Sequence, residues 1–95
     1  MTLEEFRATL SDDAPSEGAN APLRSLWYAA KGDWNRAHQL VQDEGSEDAA
    51  WVHAYLHRVE GDLGNAAHWY RRAGRPAGTI PLDDEWAEIT KALLG

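Results

Sequence analysis

The chain has 95 residues, of which 43% are hydrophobic, and its formal net charge is −7. This hydrophobic fraction and five tryptophans exclude an intrinsically disordered chain, and the length predicts a single domain over residues 1–95. The acidic excess argues against nucleic acid or an anionic membrane as a partner, because both require a positive surface.

The absence of cysteine excludes disulfides and thiolate chemistry, which suits a reducing compartment. The segment from Met1 to Glu5 lacks the basic start and apolar run of a signal peptide. No apolar stretch approaches the roughly 18 residues that a membrane helix requires. We therefore expect a cytoplasmic protein.

The first predicted helix covers about residues 3–10. Thr2 and Glu5 have the spacing of a capping box, and Phe6 lies one turn before Leu10. The following segment is rich in turn-forming residues and is expected to be a loop that ends with Asn20 as the N-cap of the next helix.

The pattern of apolar residues predicts two helical hairpins in the middle of the chain. Their four helices are expected over about residues 23–31, 34–43, 47–60 and 63–73. Gly32 and Gly61 are expected to end the first helix of each pair, and Asp33, Ser46 and Asp62 are expected to act as N-caps. No segment alternates apolar and polar residues long enough for a strand, so the predicted fold class is all-α.

A last helix is predicted over about residues 83–94, after an extended linker. Asp83 or Asp84 is expected to cap this helix. Its apolar stripe consists of Trp86, Ile89 and Leu93. We expect the N-terminal and C-terminal helices to cover the two ends of the hairpin pair.

The two hairpins repeat one sequence pattern. A shift of 29 residues lays Gly32–Asp33 on Gly61–Asp62 and Ala37 on Ala66. Because one hairpin cannot cover its own apolar face, the second is expected to stack on the first. The repeat units are expected over about residues 22–45 and 46–76.

The segment EGDLGNAAHWYRRAGRP, residues 60–76, resembles the second half of a tetratricopeptide or Sel1-like repeat. The matching positions are Gly61, Asp62, Ala66, Trp69, Tyr70, Ala73 and Pro76. The chain is also similar to small bacterial proteins of this tetratricopeptide-like type. Its spacing of 29 residues is shorter than that of either repeat, and Ala54 stands near the position of a usual glycine. The resemblance implies a scaffold that binds a peptide or a protein, and it implies no reaction.

In tetratricopeptide-like arrays the first helix of each unit lines a concave surface. The resemblance therefore implies a partner-binding groove, and helical-wheel positions assign six residues to it: Arg24, Tyr28, Lys31, His53, His57 and Glu60. With two basic residues and two protonatable histidines, such a groove would accept an acidic peptide or a free carboxylate. The alternative interpretation is a solvated helix face, because helix exteriors are polar by default.

An alternative function is small-ligand or metal binding by His53 and His57, which lie one helical turn apart. A metal site requires at least a third ligand, and His38 and His68 lie on other predicted helices. The competing interpretation is a solvated or pH-sensitive histidine pair. No cofactor is predicted.

A third feature is a cluster of basic residues beside Trp69. Arg71, Arg72 and Arg75 could form an anion or phosphopeptide patch, although cations are also favoured at a helix C-terminus by the helix dipole. The five tryptophans each fall in a predicted helix, and we expect them to pack in the core rather than to form a ligand cage.

No catalytic signature is present, so the protein is predicted not to be an enzyme. Acidic pairs such as Asp12–Asp13 fall in loops or caps, no serine stands in a nucleophile motif, and there is no glycine-rich phosphate loop. The predicted partner is a protein or a peptide. The sequence leaves the identity of that partner and the oligomeric state open.

Overall fold

The computed structural model describes all residues from 1 to 95 and contains six α-helices and no β-strand. In chain order these helices are α1 (Leu3–Ala8), α2 (Ala21–Ala30), α3 (Trp34–Val41), α4 (Glu47–Val59), α5 (Leu63–Ala73) and α6 (Leu82–Leu94). The all-α prediction is confirmed, and each predicted helix end lies within two residues of the observed one. A single 3₁₀ turn, Thr9–Ser11, follows α1.

Five of the six helices begin at a side-chain cap that the sequence predicts. Thr2 and Glu5 form both hydrogen bonds of a capping box, at 3.1 and 2.9 Å. The other predicted caps, each of which accepts a backbone N–H of the first turn, are Asn20, Asp33, Ser46 and Asp62. These bonds satisfy donors that a helix start leaves unpaired, so the local sequence defines where the helices begin.

The predicted cap of the last helix is wrong. Pro81 occupies the N-cap position of α6 and makes no side-chain bond, while Asp83 and Asp84 lie inside the first turn. Proline is compatible with a helix start because the backbone N–H groups there have no partner within the helix, so the N–H that proline lacks is not missed. The two aspartates instead place negative charge near the positive end of the helix dipole.

Glycine turns connect the helices of each hairpin. Gly32 and Gly61 have φ values of +83° and +85°, in the left-handed region that side chains disfavour. The aspartate after each glycine caps the next helix, so the repeated Gly-Asp pair ends one helix and starts its partner.

The most extensive helix contacts join α2 to α3 and α4 to α5, which establishes two helical hairpins. Helix α4 is central and also contacts α2, α3 and α6. Helix α6 packs against both hairpins: Trp86 and Ile89 are buried as predicted, and the Trp86 indole donates a hydrogen bond to the Leu26 carbonyl at 2.8 Å. Leu93 is only half-buried. The finer assignment to a tetratricopeptide or Sel1-like array stays a prediction.

None of the six helices combines the length and the hydropathy that crossing a bilayer would require.

Candidate functional site

The predicted groove depended on a solvent-facing flank of α4, and α4 has no such flank over most of its length. All residues from Ala49 to His57 are buried, because α2, α3, α5 and α6 all contact this helix. His53 is 4% exposed and His57 is 6% exposed. The expected position of these two histidines on an open groove is therefore wrong, since the helical wheel considers one helix without its neighbours.

The other four residues of the predicted groove lie at or near the surface. Of these, only Glu60 contacts a histidine of α4. Lys31 donates from Nζ to the Leu10 carbonyl at 2.6 Å, and Tyr28 is half-buried beneath the Arg36 guanidinium, 5.0 Å from its ring centroid. Arg24 is exposed. The structure therefore separates the predicted set into surface residues, which include Glu60, and a buried group that consists of His53 and His57.

The buried group belongs to a cluster of three histidines, His38 of α3 and His53 and His57 of α4, which we call the histidine cluster. The Nε2 atoms of His38 and His53 are 3.0 Å apart. The His57 ring centroid lies 4.8 Å from that of His53 and 5.4 Å from that of His38. One ring nitrogen from each of the three histidines lies within 4.8 Å of the others. Packing of α3 on α4 thus supplies the third histidine that the sequence could not assign.

Two tryptophans pack against the histidine cluster. The Trp34 ring stacks on His38 at a centroid distance of 4.8 Å, and the Trp69 ring stacks on His53 at 3.9 Å. Trp34 is fixed by a hydrogen bond from its indole N–H to the Leu56 carbonyl at 2.7 Å. Both rings are half-buried, so they pack as predicted and shield the imidazoles from water.

Burial lowers the pKa of two of the three imidazoles. The pKa of His53 is lowered to about 4, chiefly by burial and then by charge repulsion from His38 and His57. Burial also lowers the pKa of His38, with repulsion from His57 as the second cause. The Nδ1 atom of His53 is buried and has no hydrogen-bond partner. An unpaired polar atom of this kind costs about 1–3 kcal/mol.

A carboxylate orients the third imidazole. Nδ1 of His57 lies 2.6 Å from Oε1 of Glu60, one turn further along the chain. A carboxylate acceptor places the proton of a neutral imidazole on Nδ1 and leaves Nε2 as a free lone pair. The side chain of Asp62 adds a second carboxylate, with one oxygen within 4.8 Å of the ligand atoms of His57 and Glu60.

A separate surface contains Arg71, Arg72 and Arg75, and we call these three residues the arginine surface. All three are exposed. The Arg72 guanidinium lies 5.4 Å from the Trp69 ring centroid, and the Arg75 guanidinium lies 3.9 Å from that of Trp51. None of the three forms an ion pair, because the two ion pairs of the chain are His57–Glu60 and Arg58–Glu85. A cavity of about 220 Å³ borders Arg75 and Trp51.

Comparison with protein-family models, with curated proteins and with solved structures found no match to this chain. The fold and side chains define an all-α domain of two helical hairpins, with a buried histidine cluster and an exposed arginine surface. Its function is therefore inferred from its own geometry and chemistry.

Proposed function

We propose that this domain binds a protein partner and that its contact surface is the arginine surface, which accepts an acidic segment of that partner. This proposal keeps the peptide- or protein-binding function implied by the sequence but moves it from the first helices of the hairpins to the end of α5. The observation that carries it is the stacking of Arg72 and Arg75 on tryptophan rings, with no carboxylate of the chain paired to them.

The stacked arrangement favours recognition of carboxylates. A guanidinium presents a planar fork of donors that pairs with a carboxylate through two parallel hydrogen bonds. Cation–π contact with Trp51 and Trp69 holds the arginine side chains in place before binding. Less side-chain entropy is then lost when a partner binds, which is the usual benefit of preorganisation.

The charge distribution supports the same partner class. The chain carries 16 acidic and 9 basic residues, so a cluster of three unpaired arginines is a local exception on an acidic molecule. Opposite charges steer encounter and fix the orientation of two surfaces more than they raise affinity. The cavity beside Arg75 is also lined by Glu85 and Glu88, so it offers a recess for a neutral or basic side chain next to the acidic segment.

The test uses a fluorescein-labelled oligoglutamate peptide as the probe and fluorescence polarisation as the readout. We expect Arg72→Glu and Arg75→Glu each to weaken binding of the probe by about tenfold or more, equivalent to about 1.4 kcal/mol. Arg36→Glu is the matched control. It changes the net charge equally and also removes an exposed guanidinium over an aromatic ring, but on α3.

The control separates a specific surface from general electrostatics. If Arg36→Glu leaves binding within about twofold while Arg72→Glu and Arg75→Glu lose it, the arginine surface is the contact site. An equal loss in all three variants would contradict the proposal, because binding would then follow net charge alone. Absence of probe binding to the unaltered protein at low ionic strength would also contradict it, since screening is weakest there.

A further inference from the structure

We propose that His38, His53 and His57 form a binding site for one divalent transition-metal ion, with zinc as the ion that fits the site best. The site is distinct from the arginine surface and does not depend on it. The inference rests on the convergence of three imidazoles from two helices, on the carboxylate behind one of them, and on the chemistry of the three donors.

The spacing of the ring nitrogens is close to that of a tetrahedral site. Zinc binds imidazole nitrogen at about 2.0–2.1 Å, so two tetrahedral ligands lie about 3.3 Å apart. The His38 and His53 Nε2 atoms are separated by 3.0 Å, and the third donor lies within 4.8 Å of the other two. The His38–His53 pair thus already has the separation of two tetrahedral ligands, and the His57 nitrogen would have to move closer by at most about 1.5 Å to join them.

A carboxylate supports one of the three donors. Oε1 of Glu60 lies 2.6 Å from Nδ1 of His57, and a neutral imidazole that donates a hydrogen bond there keeps the lone pair of Nε2 for the ion. A carboxylate or carbonyl behind a ligating histidine is the regular companion of a histidine–metal bond, because it fixes the tautomer and raises ligand basicity.

The donor set also selects the class of metal. Three imidazoles suit zinc, copper and nickel, whereas calcium and magnesium prefer oxygen ligands. Three protein nitrogens would leave one position of a tetrahedral zinc to water or another ligand. Glu60 and the nearby Asp62 place negative charge beside the cluster, which offsets the charge of a divalent cation.

The competing explanation is that the imidazoles simply pack together, with a hydrogen bond between the neutral rings of His38 and His53. That arrangement explains the one short nitrogen–nitrogen distance without an ion. It predicts that zinc does not bind to these histidines, so that replacing any one of them does not change the result of a zinc titration. The two explanations therefore differ in a measurable quantity.

The test is isothermal titration of the chelator-treated protein with zinc chloride, together with the absorption spectrum of the cobalt(II) form. We expect one ion per chain and the strong visible absorption of tetrahedral cobalt. His38→Gln removes the half-buried donor of α3 and is expected to weaken zinc binding by more than about 100-fold. Glu60→Gln is expected to weaken it by about 10–100-fold, the usual effect of losing the group behind a ligand.

His68→Gln is the matched control, because His68 is the fourth histidine of the chain, is exposed on α5 and lies outside the cluster. We expect its zinc affinity to stay within about twofold of the unaltered protein. Circular dichroism establishes that each variant is folded. Thermal unfolding supplies a second readout: zinc at about 100 times its Kd is expected to raise the Tm by more than about 10 °C in the unaltered protein.

Three results would overturn the inference. The first is the absence of zinc and cobalt binding to the folded, unaltered protein. The second is a His38→Gln variant that is folded and binds zinc as tightly as the unaltered protein, which would reduce the site to the two histidines of α4. The third is a loss of binding in His68→Gln equal to that in His38→Gln, which would indicate a site elsewhere on the surface.

Discussion

The two hairpins share a sequence pattern but not an environment. The shift of 29 residues that superimposes their Gly-Asp turns also pairs Arg24 of α2 with His53 of α4. Arg24 is exposed, whereas His53 is 4% exposed. Equivalent positions of a repeated pattern therefore have opposite relations to solvent in the same molecule.

The difference follows from the order of the helices in the fold. Helix α4 has α5 as its hairpin partner and is covered in addition by α2, α3 and α6, while the α-helices that pack most extensively on α2 are α3, α4 and α6. Helix α3 thus covers the side of α4 that contains His53. No helix covers the matching side of α2, which contains Arg24. Position within the stack, rather than the local pattern, determines which polar residues are buried.

The largest change in stability is expected from removing the buried ion pair between the second hairpin and α6; the first hairpin makes no such pair. Glu85 is 3% exposed; it accepts from Arg58 at 2.8 Å and from the Tyr70 hydroxyl. Glu85→Ala leaves the Tyr70 hydroxyl without its acceptor and the Arg58 charge with the Ile80 carbonyl but no carboxylate, and we expect it to lower the free energy of unfolding by about 3 kcal/mol or more. Urea denaturation followed by tryptophan fluorescence measures this change.

Glu88→Ala is the control for Glu85→Ala, because Glu88 lies on the same helix and is exposed. Its effect is expected to be within about 0.5 kcal/mol. Equal midpoints for the two variants would show that the Arg58–Glu85 contact does not hold α6 on the second hairpin.

Much of the fold follows from the local sequence, because caps and turn glycines act within a few residues. Thr2, Asn20 and Asp62 define helix starts through bonds to backbone groups three residues away. The histidine cluster could not be predicted in this way. His38 and His53 are 15 residues apart and meet only because α3 packs across α4. The one available signal was the pairing of Trp34 with His38 and of His53 with His57 at a spacing of four residues.

A second prediction concerns the pH dependence of stability that the buried His53 causes. Helix α2 contains no histidine, so the first hairpin has no counterpart at that position. The folded-state pKa of His53 is about 4, below the ordinary value of about 6.5, so the unfolded chain binds more protons between these values. The contribution of neutral His53 to the free energy of unfolding is therefore complete above about pH 6.5 and is lost as the pH falls toward 4. We expect the metal-free protein to lose about 1–2 kcal/mol of unfolding free energy between pH 7 and pH 5.

Urea denaturation at both pH values in the presence of a chelator measures this loss. His53→Gln is the comparison, since its pH dependence reports the remaining titratable groups alone. The same decline in the variant and the unaltered protein would mean that His53 makes no contribution to the pH dependence.

The smallest predicted effect concerns a buried hydrogen bond that only the first hairpin makes. The Ser25 hydroxyl donates to the Ala37 carbonyl at 2.7 Å and so joins α2 to α3, whereas Ala54 occupies the matching position of α4. Ser25→Ala is expected to cost about 1 kcal/mol, measured by the same urea method. Ser16→Ala, in an exposed loop, serves as the control, and equal stability of the two variants would contradict the assigned role of this bond.

The hydrogen bond from the Trp86 indole to the Leu26 carbonyl spans 60 residues, and it has a consequence for biosynthesis. A chain emerging from the ribosome completes both hairpins before α6 has been translated. Until then, the surface that Trp86 and Ile89 cover stays open to water and to chaperones. Cooperative folding therefore waits until α6 has been synthesised instead of advancing one hairpin at a time.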